Sequence, residues 1–402
     1  MSRKCANCGI VSEIDQSFQK SHYSDQTFYC PSCWEKKTIR QGDSFLKASL
    51  IVLAGGFIWV ILSPQNEFSW FVFQVGLIGS FFNLLSLPHE LGHVCAALIT
   101  KAKIFKVTIG VGRLLYKREL WGIDWRFHAV PSCGSTFASI NSRKFYRLKS
   151  FLLSLGGPLA HFLLIFAGTI LLFLVSSKWL SAVLKAFIVA NAAELLFSLI
   201  PRKVHFAGTI TQSDGLSLLT APFMSESKIN RAIESNYAWQ IYNHYMKGRV
   251  EMAMHTYEKG LAMFPDSSTI QNEMGKILLN QRKFREARNL FFQLHKRIDL
   301  DPAMRIGLLN SIAAADIMLE ENGLLEEADE FSRTACENMP WQTDFKWIRG
   351  LVLAKKGHTQ QGLTLLKGVM NNTEDPSLKS WYASYIDDIE NKPPEEIPWG
   401  KT

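Results

Sequence analysis

Two histidines and a glutamate stand in LPHELGHVCAAL, residues 87 to 98, with apolar residues on both flanks. On a helix His89 and His93 are four apart, so both imidazoles leave one face and can share a metal ion. Glu90 follows the first ligand, where it can take a proton from water activated by that ion. A charged group near mid-bilayer depth costs roughly 2.5 kcal/mol or more, so this cluster implies a functional site that supplies partners. Two imidazoles leave zinc short of ligands, which predicts a third protein ligand, with water in the fourth position. The candidates are Asp124, His128, His161, Glu194, His205 and Asp214. Asp214 is preferred because ITQSDGLSLLTAPFM puts it at a polar break between apolar stretches, from which a carboxylate can reach into a bundle.

A second ligand set lies at the amino terminus. CANC and CPSC bring Cys5, Cys8, Cys30 and Cys33 on either side of a 21-residue spacer. Four thiolates from two tight turns can close a tetrahedral zinc shell that replaces the core so short a segment lacks. This predicts a structural zinc ribbon over residues 1–40, in which His22 is surplus to the ligands. The other cysteines are scattered singles, and the first apolar run starts too late for a signal peptide. Both features suit a reducing compartment.

Four apolar runs must position the histidines. They cover 45–63, 68 to about 99, 151–175 and 179–200, each long enough to cross about 30 Å of hydrocarbon as a helix. Between the second and third, residues 101–150 hold eleven Lys and Arg against two acids. The chain's net charge of +8 is thus concentrated in a loop between spans, which marks a cytoplasmic loop rather than a nucleic-acid surface. Both termini are then expected in the cytoplasm, and nucleic acid is not expected as a partner. Within that loop KIFKVTIG, RLLYKR and DWRFHAV alternate apolar and polar residues, which predicts a small sheet against the membrane surface.

The rest of the chain is charged and repetitive. Ala253, Ala287, Ala328 and Gly362 occupy one position of a repeat with intervals of 34, 41 and 34 residues. That period resembles tetratricopeptide repeats, which stack helix pairs into a solenoid that binds peptides or proteins. The expected fold is therefore a multi-pass helical membrane protein of about four spans. A ribbon over 1–40, a membrane domain over 45–220 and a helical repeat domain over 225–390 compose it.

HELGH in a membrane helix, GP in the next and a distal Asp-Gly together resemble the site-2 family of intramembrane zinc metalloproteases over residues 68–220. The resemblance implies zinc held by His89, His93 and Asp214, with Glu90 as general base. It also implies a transmembrane protein as substrate, cut within the bilayer. VPSCGS, residues 130–135, is similar to the family's Pro-plus-Gly turn in a membrane-associated sheet. Two positions depart from the pattern. Ser198 replaces the asparagine of Asn-x-x-Pro, with a longer gap to Asp214, and His161 replaces the asparagine after GP. His161 is a candidate substrate or oxyanion contact, a competitor for the metal, or a core histidine. The alternative function is a membrane-anchored scaffold that binds cytoplasmic partners through its repeats and keeps the metal for structure alone.

Overall fold

The computed structural model describes residues 3–8, 11–12, 19–20, 28–206, 209–319, 321, 323–373 and 376–392, so His22 lies outside the described residues. The chain divides into two compact units. One runs Trp34–Ile233, and the other joins Met1–Cys33 to Glu234–Thr402.

At the amino terminus β1 (Arg3–Lys4) pairs with β2 (Val11–Ser12), and β3 (Gln19–Lys20) with β4 (Phe28–Tyr29), both antiparallel. Each cysteine pair follows a strand: CANC leaves β1 and CPSC leaves β4. Pro31 then opens α1 (Pro31–Leu62), a place where its missing N–H costs nothing. Cys33 therefore lies in the first turn of the helix that becomes the first apolar span. The helix runs on through WEKKTIRQ, a stretch of helix-compatible residues without a breaker.

In the membrane unit α2 (Glu67–Leu84) starts at Asn66, whose side chain accepts from the Phe68 N–H at 2.9 Å. The single apolar run expected to about residue 99 is broken at Leu85, and α3 (Ser86–Thr100) carries the histidines. Backbone bonds continue through the break, from Leu85 N to Phe81 O and from His89 N to Leu85 O. Pro88 has no N–H for the Leu84 carbonyl, which accounts for the interruption.

The long strands β5 (Lys103–Leu120) and β6 (Ile123–Ser139) form the expected sheet. Bulges fold it so that Ile109 pairs with both Gly134 and Phe127, which leaves the 134–139 stretch as an outer edge. Next come α4 (Tyr146–Leu174) and α5 (Lys178–Leu199). The hairpin of β7 (Lys203–Phe206) and β8 (Thr209–Gln212) leads to the short α6 (Asp214–Thr220). Glycines set the distance between α3 and α4. A Cβ on Gly92 would lie 2.2 Å from the Gly156 carbonyl oxygen, and one on Gly156 would lie 2.5 Å from that of Gly92. Small residues permit such contact between helices that share no hydrophobic driving force in lipid.

The remaining helices are α7 (Glu226–Met246), α8 (Val250–Met263), α9 (Ser268–Asn280), α10 (Phe284–His295), α11 (Pro302–Leu319), α12 (Leu324–Asn338), α13 (Thr343–Lys355), α14 (Thr359–Asn371) and α15 (Pro376–Asn391). The small repeat residues Ala253, Ala287, Ala328 and Gly362 are all buried, one on each of α8, α10, α12 and α14. Five residues before each of them, Gly248, Arg282, Gly323 and Gly357 take positive φ. The sequence repeat is thus a repeat of local structure as well.

Five helical segments among the described residues are long and apolar enough to cross a membrane, one more than the sequence reading gave. The fifth, α11, was not expected. Its apolar residues Leu308, Ile312, Ala313 and Ile317 lie in clusters with residues of the neighbouring helices. Its buried Asp316 pairs with Arg288, which also pairs with Glu327. Packing against other helices accounts for that apolar character.

The glycine contact predicts a measurable penalty. Gly92→Val should destabilise the protein by roughly 1–3 kcal/mol through overpacking. Gly55→Val, where a Cβ would meet nothing within 4 Å, should cost far less. Unfolding of both variants in detergent compares them directly.

Candidate metal centre

The turn of α3 between His89 and His93 projects both rings toward α4. Their Nε2 atoms lie 3.2 Å apart. Asp214 reaches the same point from the start of α6, with Oδ2 3.0 Å from His89 Nε2 and Oδ1 3.4 Å from His93 Nε2. Two nitrogens bound at about 2.05 Å to one tetrahedral zinc would be about 3.3 Å apart. The donor set therefore fits that ion. Gly157 lines the same space: a Cβ there would stand 2.5 Å from His89 Nε2 and 2.6 Å from His93 Nε2. Pro158 leaves the Ser154 carbonyl without its helical donor, and one residue before it the Leu153 carbonyl lies 2.7 Å from His93 Nδ1.

Asp214 is held by its cap. Ser213 Oγ accepts from Leu216 N at 3.3 Å and Arg202 N at 3.0 Å, and donates to the Ile200 carbonyl at 2.8 Å. Ser213 N also donates to the Arg202 carbonyl at 2.9 Å. The base of the β7–β8 hairpin is thereby closed, and the longer gap after Pro201 becomes an excursion that returns to its starting point. Gly215 sits so near the end of α5 that a Cβ would lie 1.9 Å from the Leu199 carbonyl oxygen. Asp214 thus offers a carboxylate oxygen to each of the two imidazoles.

Glu90 is buried, and Thr136 Oγ1 of the outer β6 edge donates to its Oε2 at 2.6 Å. Burial, with the Glu90 and Glu194 charges near it, pushes the Cys133 thiol up to about 12.

The other candidates lie elsewhere. Asp124 pairs with Arg126 at 2.7 Å, and His128 Nδ1 bonds to the Gly112 carbonyl at 2.6 Å. The side chain of His205 lies outside the described residues. Glu194 belongs to α5 and is half-buried, outside the three-ligand cluster. His161 is fully buried, with Nε2 3.1 Å from His89 Nδ1 and Nδ1 3.0 Å from Asn191 Oδ1. Its two nitrogens thus meet His89 and Asn191, and it lies outside the three-ligand cluster. Sequence reasoning missed Thr136, Asn191 and Ser213. An asparagine inside AFIVANAAELL was a readable signal, since a polar group buried in an apolar span needs a partner.

The second ligand set also assembles. The sulfur atoms of Cys5, Cys8, Cys30 and Cys33 lie within 4.8 Å of one another, and those of Cys8 and Cys30 are 3.7 Å apart. A zinc ion with Zn–S bonds of about 2.3 Å would separate them by about 3.8 Å. Burial works against a Cys5 thiolate, yet the backbone N–H groups of Cys30, Cys8 and Asn7 bring its pKa down to about 7. Trp341 packs over the buried Cys5 and Cys30.

A family model described as peptidase family M50 matches residues 67–331, about two thirds of the chain. No curated protein and no solved structure matches significantly.

The cap geometry yields a test away from the ligands themselves. Gly215→Ala should push α6 off the end of α5 and carry Asp214 with it. Metal analysis should then show loss of the histidine-site ion, while the cysteine-site ion is retained.

Proposed function

Because the chain belongs to peptidase family M50, we propose that it is a zinc-dependent protease that cuts peptide bonds within or next to the transmembrane segments of other membrane proteins. By family and by its apolar helices it is a multi-pass membrane metallopeptidase. The observation that carries the finer reading is the pairing of Glu90 with the His89, His93 and Asp214 set. A site kept for structure alone needs ligands but no buried carboxylate beside them.

Zinc held by those three residues supplies a Lewis acid that brings water's pKa from 15.7 toward roughly 7 and polarises a peptide carbonyl. Glu90 accepts the proton as water adds to the carbonyl carbon. It then passes that proton to the amide nitrogen as the C–N bond breaks, which leaves a free carboxyl and a free amine. The Thr136 hydroxyl occupies Oε2 of Glu90 and so fixes which oxygen stays free for the proton. A helical substrate must unwind first, because its carbonyls are shielded and hydrogen-bonded. The outer edge at 134–139, which carries Thr136, is the edge an unwound segment would join by strand addition.

The four cysteines hold a structural zinc. The alternating helices form a tetratricopeptide-like solenoid that binds a cytoplasmic protein or peptide and delivers or withholds substrate. The basic loop sets both termini in the cytoplasm.

Glu90→Gln should lower cleavage of a single-span substrate in membranes on the order of 10²–10⁴-fold with metal content unchanged. Equal cleavage by the variant and the parent would refute the reading.

A further inference from the structure

The hydrogen bonds behind His89 determine more than its position. Asn191 Nδ2 lies 2.9 Å from the Phe187 carbonyl oxygen, which can only accept, so this end of the amide must be the donor. The other end, Oδ1, is therefore an acceptor facing His161 Nδ1 at 3.0 Å. His161 must carry its proton on Nδ1 to meet it. In the neutral ring its Nε2 is then bare and accepts from His89 Nδ1 at 3.1 Å. His89 consequently keeps its proton on Nδ1 and turns a lone pair on Nε2 toward His93 and Asp214.

We propose that Asn191 and His161 are positioning residues that lock His89 in the one tautomer able to bind metal through Nε2. This rests on the reading that His89, His93 and Asp214 hold a metal. The relay begins at a backbone carbonyl of α5, passes through α4 and ends on α3, so three helices define the protonation of one ligand. It also gives His161 a role distinct from that of an amide at the same position. An imidazole with Nδ1–H presents a bare Nε2, which an amide could match only by turning its oxygen toward His89. His93 is fixed separately, by the Leu153 carbonyl at its Nδ1.

The test uses full-length protein in detergent with nitrogen-15 in its histidines, stripped of metal. Imidazole nitrogen spectra, assigned by His89→Asn, should show His89 as the Nδ1–H tautomer in the parent chain. Asn191→Leu removes the acceptor and should give mixed tautomers at His89. Its affinity for the histidine site should be weaker by about 10–100-fold. That affinity is read by cobalt titration, since the nitrogen–oxygen site lacks the sulfur-to-metal band of the cysteine site. Asn191→Asp, which keeps an acceptor toward His161, should restore both readouts. If the leucine variant fails to fold, Asn191→Ala carries the same expectation without added bulk.

A parent chain with the proton on Nε2 of His89 overturns the proposal. So does a folded acceptor-less variant whose tautomer and cobalt affinity are unchanged. If the parent binds no cobalt outside its cysteines, the metalloprotease reading fails, while the tautomer spectrum still decides the relay.

Discussion

The organising constraint of the membrane unit is that two imidazoles and a carboxylate face one another among apolar helices. Nitrogen lone pairs and carboxylate oxygens at about 3 Å repel unless a cation or protons lie between them. The surrounding elements hold that arrangement rather than relieve it. Gly92 and Gly156 bring α3 onto α4, and Gly157 leaves space beside the two Nε2 atoms. Ser213 and Gly215 fix the start of α6 against the end of α5, where Asp214 can complete the group. A metal ion resolves the conflict, and the family membership makes that resolution the expected one.

The same constraint orders the groups behind the ligands. Each histidine has its second nitrogen occupied, His93 by the Leu153 carbonyl and His89 by His161. Glu90 is bonded by Thr136 from the sheet. The β6 edge thus contributes both to the proposed general base and to the strand proposed to take the substrate. At the amino terminus the cysteine set has its own buttress in Trp341, from the turn between α12 and α13.

Much of this was legible in the sequence because the chemistry repeats at the period of the helix. His89 and His93 are one turn apart whatever surrounds them, and alternation in KIFKVTIG, RLLYKR and DWRFHAV marked strands. Asp214 was readable from its Asp-Gly break, but the gap before it was not, because spacing along a chain says nothing of a hairpin that closes on itself. His161 was only partly readable for a similar reason. Its type was visible, whereas the direction in which α4 turns it depends on packing against α3 and α5. The break at Leu85 was hidden inside a continuous apolar run, although Pro88 signalled it. Composition alone also could not separate α11 from a membrane span, since a helix buried between others and a helix in lipid are equally apolar.

The central claim is a metal ion bound by His89, His93 and Asp214, and X-ray absorption at the metal edge tests it most directly. The measurement requires protein with Cys5, Cys8, Cys30 and Cys33 replaced by serine, so that only one site can report. The account predicts one zinc per chain with a shell of nitrogen and oxygen at about 2.0–2.1 Å, including the outer-shell scattering of two imidazoles. Folded protein without zinc, or zinc in a shell lacking imidazole, would contradict it.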